Sequence, residues 1–356
     1  MANFTSALYL GLRHSHRALR SWSQFTTGVP AAFAEPHNAT DVAQAIAHLQ
    51  GCEEGVLSTS SLHLFWDLFG ILAKRPIHIF FDSGMYPIGR WGVERAACLG
   101  AAVSEFPHHD ADALGLLLNL EMHPQSRPII VTDGFCPDCG RAAPLTDYVR
   151  LVQEYRGRLI VDDTQSLGIF GQSAGPSAPY GSGGGGMLRW SRAFGPEVIA
   201  ISSLAKGFGA PLAALTADEA TAHHFKSVSE TRVHCSPPSI AAIHAAEHAL
   251  AVNRRHGDRL RLRLACLVSR FRSGANAAGF DVNGGLFPVQ TIDPGSRAET
   301  IRIHKLLERS GIRTVLRRTS GNRVRISFLF NARQTPAEID HAIGALSAIG
   351  APTPTG

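Results

Sequence analysis

The sequence predicts an α/β protein with a mostly parallel sheet between helices, followed by a smaller α+β domain. Short apolar segments ending in Gly, Asp or Ser alternate with longer helical stretches through the middle of the chain. After Asn253 the pattern changes to an Arg-rich helix, short strands and a last helix from Pro336. A chain of 356 residues is long enough for two domains. We therefore predict a large domain over residues 41–253, a small domain over 254–356, and an N-terminal segment over 1–40 that packs with the small domain.

The individual elements follow from residue type and spacing. Short segments rich in Ile, Val and Phe are typical of strands buried on both faces, whereas apolar residues at helical spacing indicate helices. A glycine-rich stretch over 181–186 follows no strand and precedes no clear helix, which favours a flexible surface insertion. The predicted elements are large-domain strands at 77–82, 129–132, 159–162 and 198–202, helices at 41–50, 145–155 and 239–253, and small-domain strands at 287–292 and 324–330.

Composition and charge are those of an ordinary globular protein. Hydrophobic residues make up 44% and charged residues 18% of the chain, and no apolar run is long enough to span a bilayer. The net charge of +5 comes from Arg residues spread among acidic ones, so we expect neither nucleic-acid nor membrane binding. The amino end has no secretory-signal pattern, which predicts a cytoplasmic location, and the six scattered cysteines are expected to be reduced thiols.

Lys206 is one of only four lysines and follows an apolar segment with the character of a buried strand. Desolvation at a strand end would lower the pKa of its amine and make it nucleophilic. Gly207 and Gly209 leave space for a bulky group bound to that amine. Ser203 offers a hydroxyl at the strand end, where ligands of open α/β sheets bind. Taken alone, this position favours a solvated lysine in a turn over a reactive one.

Asp162 ends another apolar segment, at 159–162. A buried carboxylate is costly unless it is paired, so Asp162 needs a cationic or hydrogen-bonding partner. A protonated pyridine nitrogen would satisfy it, and this pairing would let a pyridoxal ring delocalise a carbanion. The alternative is a helix N-cap in this region, a role that Asp163 or Thr164 could serve equally well.

These motifs resemble those of the α-oxoamine synthases, which are fold-type I pyridoxal 5'-phosphate (PLP) enzymes. The resemblance extends from about Ser6 to Ala345 and implies a seven-stranded type of sheet, a PLP cofactor and a homodimer with shared active sites. It also implies that an amino acid-derived carbanion condenses with an acyl thioester, in the decarboxylative manner usual in that family, with coenzyme A or a carrier protein as acyl donor. The segments that carry it are 9–12, 133–134, 143–145, 162–168, 203–209 and 236–238.

The resemblance assigns roles to individual residues. Lys206 would form the Schiff base with PLP, and Asp162 would pair with the pyridine nitrogen. Tyr86 would stack on the ring and Gln165 would donate a hydrogen bond to the phenolic oxygen, each in place of a family histidine. Arg325 would bind the substrate carboxylate. The other implied contacts are Ser60, Ser61, Leu62 and Ser203 to the phosphate, Ser236 to the phosphate across the dimer, Asp133 to the cofactor and Tyr9 to the substrate.

The two histidine replacements leave the reaction open. Neither Tyr86 nor Gln165 can carry a proton near neutral pH as histidine does. Transamination, aldol-type cleavage or β-substitution by a PLP enzyme of the same fold is therefore an alternative. A non-catalytic binding protein that kept the fold is another.

Several motifs could be interpreted as metal sites. Residues 244–248 match the letters of a zinc-protease helix, but such a pattern recurs easily by chance in an Ala-rich helix. We interpret 108–110 as a loop with an Asp cap, and Cys136 and Cys139 as two free thiols near the cofactor pocket. The sequence therefore predicts no metal.

Overall fold

The computed structural model describes residues 1–318 and 323–350. A 3-10 turn at His16–Ala18 precedes the first helix. The helices are α1 (Ala39–Gln50), α2 (Ser61–Leu72), α3 (Pro87–Cys98), α4 (Ala111–Glu121), α5 (Leu145–Glu154), α6 (Gly186–Ser191), α7 (Glu219–Val228), α8 (Glu230–His234), α9 (Ile240–Ala277), α10 (Arg297–Arg309) and α11 (Pro336–Ile349). The strands are β1 (Ala2–Asn3), β2 (Glu54–Ser58), β3 (Ile77–Asp82), β4 (Ala102–Phe106), β5 (Arg127–Asp133), β6 (Phe135–Cys136), β7 (Arg141–Ala142), β8 (Arg158–Asp162), β9 (Val198–Ser203), β10 (Ala213–Ala217), β11 (Val282–Asn283), β12 (Val289–Ile292), β13 (Ile312–Arg313), β14 (Val315–Arg318) and β15 (Val324–Leu329).

A seven-stranded sheet in the order β2-β10-β9-β8-β5-β3-β4 forms the centre of the molecule. β10 runs antiparallel to both of its neighbours, and the other pairings are parallel. Apolar side chains of the sheet contribute to a separate buried cluster on each face, against the helices that cover it. A second, antiparallel sheet has the order β11-β12-β15-β14. The predicted fold, a mostly parallel sheet between helices with an additional smaller sheet, is confirmed.

The predicted strands of the large sheet lie within one or two residues of β3, β5, β8 and β9. Three further strands, β2, β4 and β10, were not predicted. β10 has the sequence Ala-Ala-Leu-Thr-Ala and is buried along its length. Because alanine is a strong helix former, its composition does not indicate a strand, and only its position between β2 and β9 explains its conformation.

The long helix α9 passes through the domain boundary predicted at Asn253. Its 38 residues carry the chain without a break from the large sheet to the smaller one. At the amino end, Ala2 pairs with Ile312, and the Phe4 ring packs against Phe328 and Phe330. These contacts agree with the predicted N-terminal segment, while the division into three parts stays a prediction.

The glycine-rich stretch is not a surface insertion as predicted. Gly184, Gly185 and Gly186 are buried, and Gly186 begins α6. Gly186 has a φ of +80°, and a Cβ there would lie 1.8 Å from Oδ2 of Asp163. The glycines are thus needed for close packing around a buried carboxylate.

Asp163 connects this segment with α1. Its carboxylate accepts hydrogen bonds from the Met187 backbone N–H and from the Gln50 side-chain amide, both at 3.0 Å, and from the Ser166 hydroxyl. Burial raises the pKa of Asp163 to about 7. Its hydrogen bonds join α1, the loop after β8 and the start of α6, next to the carboxyl end of β8.

The six cysteines are free, as expected. Among residues 1–318 and 323–350, no helix combines the length and apolar character needed to cross a bilayer.

The raised pKa of Asp163 predicts a pH-dependent cost for Asp163→Asn. Between about pH 4 and pH 7 the folded protein holds a proton on Asp163 that the unfolded chain has lost. The contribution of Asp163 to the free energy of unfolding therefore falls as pH rises. Asparagine does not titrate. We expect the substitution to lower the free energy of unfolding by roughly 2 kcal/mol more at pH 5 than at pH 8, measured by urea denaturation.

Exposed Asp112 provides the matched control, because Asp112→Asn should cost less than about 0.5 kcal/mol at either pH. A cost of Asp163→Asn that is equal at both pH values, or larger at pH 8, would contradict the assignment.

Candidate active site

The carboxyl ends of β5, β8 and β9 meet at one edge of the large sheet. Asp133 on β5 and Asp162 on β8 are partners in the parallel register, so their backbones are about 4.8 Å apart. Asp162 also pairs with Ile201 on β9, two residues before Ser203 ends that strand. Lys206 follows in the turn after β9. The fold thus brings together three residues that are far apart in sequence.

Asp162 is buried at the carboxyl end of β8, with 7% of its surface exposed. Its Oδ1 accepts a hydrogen bond from the Thr164 N–H at 3.0 Å, and the Thr164 hydroxyl accepts one from the Ser203 N–H at 2.9 Å. Burial raises the pKa of Asp162, while hydrogen bonds from Thr164 and the charge of Lys206 oppose this effect. A cationic group against Asp162 would stabilise its ionised form.

Asp133 has an unsatisfied oxygen. Its Oδ2 accepts a hydrogen bond from the Tyr86 backbone N–H at 3.1 Å, whereas Oδ1 is buried and has no hydrogen-bond partner among the described residues. Burial, and secondarily the nearby Asp162 charge, raise the pKa of Asp133 well above its ordinary value. An orphaned oxygen of this kind needs a hydrogen-bond donor, which a bound ligand can supply.

Lys206 is half-buried, and its Nζ lies 5.6 Å from the centroid of the Tyr86 ring. Desolvation lowers the pKa of the amine, and the charges of Asp162 and Asp133 partly oppose that effect. A Cβ on the neighbouring Gly207 would lie 2.3 Å from the Leu167 carbonyl oxygen, so only glycine permits this close approach of the two loops. The Tyr86 side chain is half exposed, and its ring borders the space next to the amine.

Gln165 is oriented by the N-terminal segment. The hydroxyl of buried Tyr9 donates a hydrogen bond to Oε1 of Gln165 at 2.8 Å. Because the carbonyl side of the amide is engaged, the Nε2 side is the one that can donate to a ligand. Burial raises the pKa of Tyr9, which keeps its hydroxyl protonated as the donor.

The predicted phosphate contacts lie along the same sheet edge. Ser58 and Ser203 pair with the same residue, Ala213, from opposite sides, so the ends of β2 and β9 are about 10 Å apart. Ser60 is the N-cap of α2, and Ser61 and Leu62 form its first turn. The N–H groups of that turn carry the partial positive charge that favours an anion.

Arg325 and Ser236 have no hydrogen bond to this cluster within the described parts of the chain. The Nε of Arg325 donates to Oδ2 of Asp293 at 3.0 Å, which fixes one edge of the guanidinium on β15. Ser236 is exposed, just before α9. Their roles toward the substrate and across a dimer stay predictions.

The sequence did not predict three hydrogen-bonding contributions to the site. They come from the Thr164 hydroxyl, the Tyr86 backbone N–H and the Asp163 carboxylate. Thr164 was considered only as a helix cap, although a hydroxyl between two buried strand ends could have suggested a link between them. The metal interpretation of 244–248 has no support in the described structure, because His244 faces the Arg20 carbonyl oxygen and His248 faces His14.

This geometry is that of a known class of enzyme. A mostly parallel sheet whose strand ends hold a lysine and a buried aspartate is typical of fold-type I PLP-dependent enzymes. Residues 31–346 match the family model described as "Aminotransferase class I and II", and the chain belongs to that family. The 8-amino-7-oxononanoate synthases of Citrobacter koseri and Salmonella typhi are both 27% identical to this chain over 320 residues, which cover 87% of this chain and 78% of each relative.

Solved structures show the same fold. A serine palmitoyltransferase from S. paucimobilis with a bound PLP–myriocin aldimine superposes with a TM-score of 0.84 at 16% identity, covering 97% of this chain and 86% of that one. An 8-amino-7-oxononanoate synthase from Francisella tularensis superposes with a TM-score of 0.72 at 17% identity. The match covers 98% of this chain and 97% of that one. The predicted resemblance to α-oxoamine synthases, the PLP cofactor and the assignment as a transferase are confirmed.

The residues present fit the cofactor. Asp162 offers a buried acid for a cationic ring nitrogen, Oδ1 of Asp133 lacks a donor, and Lys206 has an amine of lowered pKa. Tyr86 offers an aromatic face beside that amine. The individual assignments remain predictions.

Borohydride trapping tests the role of Lys206. Because burial lowers the pKa of its amine, we expect it to capture PLP covalently at neutral pH, well below the ordinary lysine pKa of 10.5. Reduction with borohydride followed by peptide mass spectrometry should place the adduct on Lys206. The Lys206→Ala protein should give no adduct.

Lys305, which is exposed on α10, provides the control, and Lys305→Ala should trap PLP like the wild type. An adduct that maps to another lysine, or that survives in Lys206→Ala, would show that the assignment is wrong.

Proposed function

We propose that this protein joins the Cα of an amino acid to the acyl carbon of a thioester, as an α-oxoamine synthase. The observation that carries the proposal is the cluster of Lys206, Asp162 and Asp133 at the strand ends, in a chain whose curated relatives are named 8-amino-7-oxononanoate synthase. When bound, PLP supplies an electron sink that stabilises negative charge at the substrate Cα.

Each residue of the cluster has a task in this reaction. The ionised Asp162 would hold a proton on the ring nitrogen, and the Gln165 amide would donate to the phenolic oxygen while Tyr9 fixes its orientation. Tyr86 would hold the ring flat against the site and exclude water from one face. Phosphate would lie between Ser203 and the first turn of α2.

Lys206 is the residue that moves protons. Its amine, whose pKa is lowered by burial, would accept and return the proton at the substrate Cα. It is held beside the cofactor by the turn after β9. Arg325, oriented by Asp293, would bind the substrate carboxylate through the nitrogens that Asp293 does not engage.

We further propose that the enzyme is a cytoplasmic homodimer in which Ser236 of one subunit reaches the phosphate bound by the other. Ser236 is exposed in the short segment between α8 and α9, and Val233 in α8 is an exposed apolar residue. Both are placed where a partner could cover them.

A second candidate is another PLP reaction of an amino acid, such as transamination. Gln165 favours it, because an amide oriented by Tyr9 cannot exchange a proton with the substrate. The two candidates differ in whether an acyl thioester is consumed.

The test is a thiol-release assay on PLP-loaded protein. Each of the standard amino acids is supplied with a short- and a long-chain acyl-coenzyme A, and free thiol is followed together with carbon dioxide and product mass. We expect one amino acid to give thiol release that depends on both substrates, with a product containing the new Cα–acyl bond. Lys206→Ala should lower the rate by about 100-fold or more.

Conversion of an amino acid to its oxo acid without any thiol release would support transamination and contradict the condensation. Carbon dioxide in a one-to-one ratio with thiol would establish a decarboxylative reaction.

A further inference from the structure

A cluster of possible metal ligands lies at the edge of the large sheet. It contains the adjacent residues His108 and His109, together with Cys139, which follows about thirty positions later in the sequence. The two histidines lie in the turn between β4 and α4, and Cys139 lies between β6 and β7. One potential ligand atom from each residue lies within 4.8 Å of the other two. The sequence does not predict a metal site in either segment, because each segment supplies only some of the three ligand residues.

The His108 ring is held in the orientation of a metal ligand. Its Nδ1 is 2.6 Å from Oδ1 of buried Asp82, and its Nε2 is 3.3 Å from Sγ of Cys139. Asp82 also accepts hydrogen bonds from the backbone N–H groups of Gly84 and His109, so its carboxylate is fixed in place. A carboxylate that binds one ring nitrogen and directs the other toward a ligand position is the usual outer shell of a metal-binding histidine.

The His109 ring lies against the His108 ring, with ring centroids 3.7 Å apart. The His109 side chain is 4% exposed, and both of its ring nitrogens are buried without a hydrogen-bond partner among the described residues. Nε2 is 4.0 Å from Oδ2 of Asp82, which is too long for a hydrogen bond. The residue also adopts a left-handed φ of 58°. Two orphaned nitrogens in a buried ring are costly, and a metal ion would satisfy one of them directly.

The donor set is that of zinc. Two imidazole nitrogens and one thiolate sulfur form a set that Zn²⁺ accepts readily, whereas Mg²⁺ and Ca²⁺ require oxygen ligands. Around a tetrahedral zinc the ligand atoms lie about 3.5 Å apart, given bond lengths of roughly 2.0–2.3 Å. The 3.3 Å between Nε2 of His108 and Sγ of Cys139 already matches this value. A water molecule can complete the coordination.

We propose that His108, His109 and Cys139 bind a Zn²⁺ ion, with Asp82 supporting His108 from behind. Zinc binds a neutral imidazole nitrogen and a thiolate, so the ion and protons compete for this site. The proposal does not depend on the proposed reaction.

The ion would have a structural effect on the cofactor pocket. The β6–β7 hairpin that carries Cys139 also places Asp138 in an ion pair with Arg317 of β14, which belongs to the smaller sheet. On the other side, Asp82 contacts Thr132, the residue before Asp133, at 3.4 Å. Zinc would therefore fix the hairpin between the two sheets, next to one of the two strand-end acids.

Metal content and titration test the proposal on protein purified without a polyhistidine tag. We expect about one zinc per chain by mass spectrometry, and restored binding when ZnSO₄ is added to chelator-treated, reduced protein. Cys139→Ser and His109→Asn should each weaken zinc binding by about 100-fold or more. Asp82→Asn should weaken it by about 10- to 100-fold, as expected for the loss of a supporting carboxylate.

Matched controls are available in exposed residues of the same types. Cys98→Ser and His223→Asn should bind zinc like the wild type. Co²⁺ provides a second readout, because a thiolate ligand gives a charge-transfer absorption that Cys139→Ser should lose. Circular dichroism and borohydride trapping at Lys206 show whether each variant is folded.

Two results would overturn the proposal. The first is zinc binding that is unchanged in both Cys139→Ser and His109→Asn. The second is reduced wild-type protein that binds no more zinc than a protein carrying both Cys139→Ser and His109→Asn. A Cys136–Cys139 disulfide in the protein as purified would then assign the cluster to redox chemistry.

Discussion

Two buried carboxylates, Asp133 and Asp162, impose the main constraint on this structure. They are register partners on adjacent parallel strands, so the fold itself holds two acids side by side away from water. The pKa values of both are raised, which means that each is costly to ionise unless positive charge is close by. The charge of Lys206 offsets part of this cost, and under the proposed function the ring nitrogen of PLP would place a positive charge against Asp162.

The remaining parts of the site follow from strand direction. Parallel β5, β8 and β9 deliver their carboxyl ends to one edge, and antiparallel β10 returns the chain so that β2 ends there too. The two buried acids, Lys206 and the first turn of α2 therefore share an edge without being near one another in sequence. The N-terminal segment completes the edge through Tyr9, which orients Gln165.

The sequence predicted positions that depend on a local motif, and failed for positions that depend on distant contacts. The places of Lys206 and Asp162 at strand ends could be predicted, because each follows an apolar segment. β10 could not, since its alanines indicate a helix and only its neighbours make it a strand. The contact of His108 with Cys139 was equally hidden, because no spacing in the sequence relates the β4–α4 turn to the β6–β7 hairpin.

The most direct measurement is ¹⁵N NMR of the enzyme loaded with PLP labelled at the ring nitrogen. If buried Asp162 is stabilised by a cation on the cofactor, the wild-type protein at neutral pH should give the chemical shift of a protonated pyridinium, and Asp162→Asn should give that of a neutral pyridine. A neutral-pyridine shift in the wild type would contradict the account. So would a pyridinium shift that is unchanged in Asp162→Asn.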